Sequence, residues 1–413
     1  MLDLKFIREN TELVRQAVAN RQDNAPLDEI ISLDSERRAL SQALDDLRRQ
    51  RKEIAGERTP DAAEKGRRIR DDIKISEEKL EAIDYQLKDL LLRVPNVPQS
   101  TVPVGKSEDD NIVRQVFGEM KKFDFEPAPH WKLGEDLDII DFERGVRLSG
   151  TRFYVLKGMG SRLQRALIQF MLDLHAGEHG YREIYPPFMV KKECLVGSSN
   201  LPKFADNLYH DAEDDLWFVP TAEAPLTNMH RDEIIAPGTL PIHYVAYTAC
   251  FRREKMSAGK DTRGIKRGHQ FDKVELYKFV EPGTSNDELM KMIDDASDVC
   301  RKLGLTYRLK EICTADMGFA SSKSFDIEVW APGVKEWLEV SSCSNCWDFQ
   351  ARRANIRFRL SSEEKPKFVH TLNGSGMALP RILIAVMENY QQKDGTILVP
   401  DVLQRYMGEK VIK

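Results

Sequence analysis

The sequence predicts an α+β protein: an N-terminal antiparallel helical hairpin, then a body built on an antiparallel β-sheet flanked by helices. Three observations carry this. Apolar residues recur at heptad spacing through much of the first hundred positions. A Pro-rich stretch then ends the pattern. Beyond it, strand-like runs are joined by turns or loops more often than by crossover helices. At 413 residues the chain is too long for one small module, and 41% hydrophobic residues supply at least one sizeable core.

The hairpin comes first. Leu33, Leu40, Leu47 and Ile54 recur every seven residues. Ile69, Ile73, Ser76, Leu80, Ile83, Leu87, Leu90 and Val94 then alternate by four and three, which marks a coiled-coil seam. Gly56, Pro60 and Gly66 lie between the runs, where a helix should end and the chain reverse. Arms of about 26 residues would reach roughly 40 Å, within a hairpin spanning about residues 27–94. Such a seam serves either dimerisation or a stiff lever. From Arg48 to Arg70 the chain carries nine basic residues against four acidic ones. A basic tip suits a phosphate backbone, and a solvated helical surface is the plain alternative.

The stretch VPNVPQSTVPVG, with Pro95, Pro98 and Pro103, reads as an interdomain linker, dividing the chain into residues 1–104 and 105–413. In the body, helices are expected at Ser161 to His179, Ser285 to Leu303 and Arg381 to Gln392. Strands are expected at Ile242 to Phe251, Gln270 to Val280, Phe325 to Trp330 and Trp337 to Ser341. A net charge of -5 excludes a globally basic nucleic-acid coat, so any phosphate contact must be local. Six cysteines between Cys194 and Cys346 imply no disulfide framework. The opening MLDLKFIREN lacks an apolar signal core, and no run of about 18 apolar residues occurs. The chain is therefore expected to be soluble and cytoplasmic, with no membrane partner.

Some motifs resemble chemistry without supporting it. His175-Ala-Gly-Glu178-His179 matches H-x-x-E-H, but Gly177 sits inside it and the segment closes an amphipathic helix. Cys343-Ser-Asn-Cys346 has ligand spacing, yet nothing completes four ligands. No zinc is expected. Gly105-Lys106-Ser107 lacks the earlier glycine of a P-loop, and no G-x-G-x-x-G occurs.

The informative segment is FRREKMSAGKDTRGIKRGHQFDKVEL, Phe251 to Leu276. Phe271, Lys273, Glu275 and Tyr277 share one strand face by period two, while Val274, Leu276 and Val280 take the apolar face. An aromatic ring, a cation and a carboxylate in a row, with Arg252 opening the loop, suit a nucleotide pocket. An exposed hairpin with ordinary surface charges is the alternative.

Gly180-Tyr181-x-x-Ile184-x-x-Pro187-Phe188-Met189 resembles motif 1 of class II aminoacyl-tRNA synthetases (about residues 161–190), the element of their dimer interface. Phe251-Arg252-Arg253-Glu254 with Arg267-x-x-x-Phe271 resembles motif 2 (about 245–280). Asn373-Gly374-Ser375-Gly376 through Arg381 resembles motif 3 (about 371–392). TAEAPLTN (Thr221 to Asn228), DTRG (Asp261 to Gly264), HQFDKVEL and EVSSCSNCWDFQARR (Glu339 to Arg353) are similar to seryl-tRNA synthetases in particular. So are the N-terminal segment and the basic hairpin, and the match runs nearly end to end. Two departures stand out: Pro380 replaces a frequent Gly, and Gly197-Ser198-Ser199-Asn200 replaces a commoner Gly-Thr-Gly-Gln.

The resemblance implies a homodimeric ligase that forms seryl-adenylate from ATP and L-serine, then transfers serine to tRNA(Ser) and, where one exists, tRNA(Sec). It implies that Arg252 bridges the serine carboxylate and the α-phosphate, a task suited to the planar guanidinium fork. Arg253, Glu254, Phe271, Val340 and Ser341 complete the ATP site with Glu339, Ser342 and Arg381. Within it Glu254 accepts from the adenine amino group, Phe271 stacks on the ring, and Arg381 meets the γ-phosphate. Thr221, Ala222 and Glu223 are implied for the serine ammonium end, with Glu275 and Ser375 at its hydroxyl. Glu339 and Ser342 are implied to hold Mg²⁺, which keeps waters and phosphate oxygens and so needs few protein ligands. By alternation, Glu339 and Ser341 share a face with Trp337 while Leu338 and Val340 face the core.

Overall fold

The apolar positions of the two heptad runs have each other as natural partners, so the runs close as a pair of long helices. The computed structural model describes residues 1–57, 59–255 and 263–413. Two compact units result, Met1–Pro95 and Asn96–Lys413. In the first, short helices α1 (Leu4–Glu9) and α2 (Thr11–Asn20) precede α3 (Leu27–Ile54) and α4 (Pro60–Leu91). Ile30, Leu44, Ile73, Ile83 and Leu87 are buried along α3 and α4, with Leu33, Leu40, Leu47 and Leu80 partly so. Ion pairs Arg37–Asp84 and Arg48–Glu77 cross between the two helices.

The reversal is tighter than the three punctuating residues suggested. Thr59 caps α4 by accepting from the Ala62 N–H at 3.2 Å, and Pro60 occupies the first turn, where its missing N–H costs nothing. Gly66, expected in the turn, lies inside α4, where an added Cβ would sit 3.7 Å from Ile54 Cδ1. One helical glycine costs only about 1 kcal/mol, which the flanking repeat absorbs. Arg51, Lys52, Lys65, Arg67 and Arg70 are exposed and enter no ion pair among the described residues. Arg58, also part of that basic stretch, lies outside the described residues.

The Pro-rich stretch is hydrogen-bonded structure of the second unit. Asn96 N donates to Phe319 O at 3.0 Å and Gln99 N to Ser322 O at 2.8 Å. The Asn96 side chain donates to Ala320 O and Cys346 O. The composition boundary at 104/105 thus falls nine residues beyond the division of the compact units.

The second unit is organised by an eight-stranded sheet. Its strands are β1 (Ile112–Phe117), β2 (Arg182–Ile184), β3 (Ile242–Phe251), β4 (Gln270–Val280), β5 (Tyr307–Glu311), β6 (Lys323–Ala331), β7 (Glu336–Asn345) and β8 (His370–Ala378). The spatial order is β1-β5-β6-β7-β8-β4-β3-β2, antiparallel throughout except for the parallel pair β2–β3. Strands β3 and β4 have the bounds expected from sequence; β6 and β7 are longer than expected. One face packs on α5 (Gly158–Gly177), α8 (Ser285–Lys302) and α10 (Leu379–Tyr390), with α11 (Asp401–Met407) against α5, and Val274, Leu276 and Val280 enter the main core there. A second core around Tyr277, Phe279 and Ile356 packs with α7 (Glu223–Asn228) and α9 (Phe349–Ala354). Among the described residues no helix is long and apolar enough to cross a membrane.

Candidate active site

The mixed face of β4 runs along the floor of a cavity of about 660 Å³. Phe271, Lys273 and Glu275 line it, as period two predicts. Tyr277 continues that face into the second core instead, where its hydroxyl accepts from Thr227 Oγ1 at 2.8 Å and donates to Gln350 at 3.0 Å. Lys273 and Glu275 are both buried and ion-paired with each other. Burial pushes the Glu275 carboxyl up, and Lys273 opposes this.

Two β-bulges assemble the walls. Between β4 and β8 the register runs Val274↔Met377, then Glu275↔Ser375, so Gly376 is the extra residue and Ser375 stands beside Glu275. An added Cβ on Gly376 would lie 3.0 Å from Val274 Cγ1 and 3.2 Å from His175 Nε2. His175 is therefore a packing surface under this bulge. It is fully buried, with Nδ1 3.0 Å from His179 Nδ1, and burial drives its pKa down to about 3. Between β6 and β7 the register runs Ile327↔Ser341, then Glu328↔Glu339, leaving Val340 unpaired. Strict alternation would put Glu339 and Ser342, three apart, on opposite faces; the extra residue brings both to the cavity. The same bulge turns Ser341, expected beside Glu339, to the other side, where its Oγ donates to Ser375 O at 2.5 Å. Val340 is buried in the main core.

Charge converges from several elements. Arg252, at the end of β3, lies over the Phe271 ring at 5.1 Å, and its Nε donates to Pro220 O at 3.2 Å. Glu254 lines the cavity at φ 50°, with a carboxylate oxygen 3.7 Å from Arg267 Nη1. Arg381, in the first turn of α10, donates to Glu339 O at 2.7 Å and pairs with its carboxylate at 3.1 Å. Glu223 begins α7; its Oε1 accepts from Gln350 Nε2 and, at 3.1 Å, from Asn373 Nδ2. Burial first, and neighbouring Glu275 second, raise its pKa to about 7.

Nine of the residues singled out from sequence thus share the cavity: Glu223, Arg252, Glu254, Phe271, Glu275, Glu339, Ser342, Ser375 and Arg381. The side chains of Thr221, Ala222, Arg253, Val340 and Ser341 lie off its wall. Thr221 Oγ1 donates to Glu275 at 3.3 Å and accepts the Glu223 N–H, a supporting role. Ala222 is packed in the second core. Arg253 binds Leu208 O and stacks over Tyr209. Asp261 and Thr262 of the DTRG segment lie outside the described residues. Lys273, placed on that face from sequence without a specific role, also lines the cavity, as do Asn373 and Ser199, which sequence reasoning did not assign. Lys273 and Asn373 stood within motifs already noted, next to assigned residues. Asp326, across the ladder from Ser342, was also missed; burial and neighbouring Glu339 raise its carboxyl well above the usual range.

The bulged antiparallel sheet, with arginines and carboxylates around its cavity, is the arrangement that the motif resemblances imply for a class II aminoacyl-tRNA synthetase core. Residues 204–390 match the tRNA synthetase class II core domain (G, H, P, S and T), and residues 1–98 match the seryl-tRNA synthetase N-terminal domain. A serine--tRNA ligase of Dehalococcoides mccartyi is 65% identical over 413 residues, 100% of both chains. Another, from Thermomicrobium roseum, is 56% identical, covering 99% of this chain and 94% of its own. The crystal structure of seryl-tRNA synthetase from Pyrococcus horikoshii complexed with ATP superposes with a TM-score of 0.96 at 39% identity, covering 100% of this chain and 99% of the other. The chain belongs to the seryl-tRNA synthetase family.

Proposed function

We propose that the 660 Å³ cavity is where this ligase for serine carries out both steps, adenylate formation and transfer of the seryl group to tRNA. The observation that carries the reading is the convergence of Arg252, Arg381, Glu223 and Glu275 on one cavity with Phe271. In-line displacement at the α-phosphate needs positioning and charge neutralisation. Arg252 holds the serine carboxylate and the α-phosphate together, and Phe271, now under its guanidinium, takes the adenine ring. Glu254 accepts from the adenine amino group, and Arg381 meets the γ-phosphate. Glu223 receives the serine ammonium, and Glu275 with Ser375 contacts its hydroxyl. An alanine substrate would leave those polar groups unpaired, the strongest form of rejection such a pocket has.

A carboxylate and a hydroxyl on one wall, Glu339 and Ser342, fit a hard cation that retains waters and phosphate oxygens. These two residues would hold Mg²⁺, which supplies charge neutralisation across the ATP phosphates. The exposed cations Arg51, Lys52, Lys65, Arg67 and Arg70 support residues 1–104 as the tRNA-binding domain and 105–413 as the catalytic one. tRNA(Sec) is a second acceptor, recognised like tRNA(Ser) by shape and backbone. Tyr185, 80% exposed beyond the edge strand β2, supports a homodimer formed through the motif 1 element. The protein works in the cytoplasm. ATP–pyrophosphate exchange across the twenty amino acids tests the reading: clear exchange with serine and far weaker exchange with alanine is expected. No serine exchange from folded protein with Mg²⁺ and ATP would refute it.

A further inference from the structure

Ser199 stands out on the cavity wall for reasons that none of the assigned roles uses. It is 3% exposed, and its Oγ is buried without a hydrogen-bond partner among the described residues. Its backbone sits at φ 72°, a region that favours glycine over any residue with a Cβ. A strained backbone and an unsatisfied buried hydroxyl at one position persist only where the surroundings enforce them.

Those surroundings are well defined. α6 (Lys192–Gly197) leads into the loop, and the Ser199 N–H donates back to Val196 O at 3.1 Å. The loop is fastened at both ends by Arg353, whose Nη1 donates to Val196 O at 3.3 Å and Leu201 O at 3.0 Å. That guanidinium lies 4.9 Å from the Phe349 ring centroid and 5.5 Å from that of Phe319. Gly197 fits against the Asn228 side chain so closely that an added Cβ would lie 2.4 Å from its Oδ1. Gln350 Nε2 donates both to Ser198 O at 3.2 Å and to the Glu223 carboxylate, so one amide ties the loop to the carboxylate. The neighbouring Ser198 hydroxyl is committed to Cys194 O and Asn200. The Thr221 hydroxyl is committed to Glu275 and the Glu223 N–H.

We propose that Ser199 contacts the amino-acid substrate directly, its Oγ accepting a hydrogen bond from the α-ammonium group that Glu223 neutralises. This rests on the reading of the Glu223 end as the amino-acid end. An ammonium has three donors in a fan, and one carboxylate already engaged by two amides leaves at least one for a neighbouring acceptor. The loop clamp of Arg353 and Gln350 keeps that acceptor in place before substrate arrives.

The test pairs two substitutions in the full-length enzyme, read by serine-dependent pyrophosphate exchange and thermal unfolding. Ser199→Gly removes the hydroxyl and relieves the backbone; Ser199→Ala removes the hydroxyl alone. Both should raise the serine KM about tenfold, the size expected for one hydrogen bond to a charged group, with the ATP KM within twofold. Both should also raise the Tm, since each removes a buried hydroxyl without a partner, and Ser199→Gly by more, since it relieves the backbone as well. A normal serine KM in Ser199→Gly beside a raised one in Glu223→Gln overturns the proposal alone. A normal serine KM in Glu223→Gln overturns the placement of the amino acid, and the proposal with it. A parallel rise in ATP KM also overturns it, since the loop would then shape the nucleotide end.

Discussion

Glu223→Gln separates what a carboxylate costs the fold from what it does for the substrate. Burial and the neighbouring Glu275 lift its pKa from 4.5 to about 7, against the opposing pull of Lys273, Gln350 and Arg252. The folded state therefore holds this proton more tightly than the unfolded chain does. Below pH 4.5 there is no penalty; it grows as pH rises through the window and is complete above about 7. That window corresponds to about 3 kcal/mol of stability. Glutamine at 223 keeps an oxygen that can accept from Gln350 and Asn373 but carries no charge. Glu223→Gln should thus stabilise the free enzyme by about 3 kcal/mol at pH 8 and by less than about 1 kcal/mol at pH 5. Its serine KM should rise at least about tenfold through loss of the charge-assisted contact. In the wild type, serine kcat/KM should climb about tenfold from pH 6 to pH 8 as the ionised share grows from about a tenth to about nine-tenths. Denaturant unfolding at the two pH values and pyrophosphate exchange across the range measure both halves. An equal stability gain at pH 5 and pH 8, or the same pH limb in the variant, would refute the reasoning.

Arg381→Ala loses both contacts to Glu339 and the cation proposed to meet the phosphates, so exchange should fall at least about a hundredfold with an unchanged circular dichroism spectrum. A loss under threefold would place Arg381 outside the chemistry. Gly374→Ala puts a methyl 2.9 Å from both Cys343 Sγ and Met292 Sδ; overpacking of this kind should cost about 1–3 kcal/mol, visible as a lower Tm. Deleting residues 33–93 and closing the gap with a short Gly/Ser linker should leave serine-dependent exchange largely intact while crippling tRNA charging. The intact chain's tRNA affinity should fall steeply with added salt, and a deletion that charges tRNA normally would show that the hairpin is not the tRNA arm.

Periodicity made much of the architecture legible. Heptad spacing located both long helices, and the strand-like runs gave β3 and β4 their bounds. It could not reveal the two bulges, because an extra residue leaves no mark in apolar alternation when the residue is itself apolar or a glycine, as Val340 and Gly376 are. This is why alternation puts Ser341 beside Glu339, and why only the resemblance points to Ser342. Tyr277 shows the opposite failure: the face was right, but the floor of the cavity ends before it, where α7 and α9 cover the strand. Glu223 was named, yet the amides of Gln350 and Asn373 that hold it come from positions 127 and 150 residues downstream. Ser199 was noticed only as a departure from a commoner glycine, since nothing in a sequence announces φ 72°.

The docked Pro-rich stretch matters to anyone wishing to recombine these modules. Residues 96–99 look like tether by composition, yet their hydrogen bonds belong to the body. Asn96 alone fastens Phe319 and Ala320, both on the cavity wall, and Cys346, just past the end of the strand that carries Glu339 and Ser342. A catalytic fragment trimmed at residue 105 would discard those fastenings and loosen a wall of the cavity it was meant to isolate. Chimeras that exchange N-terminal arms between related synthetases should therefore be joined between Pro95 and Asn96, so that every recipient body keeps its own strap.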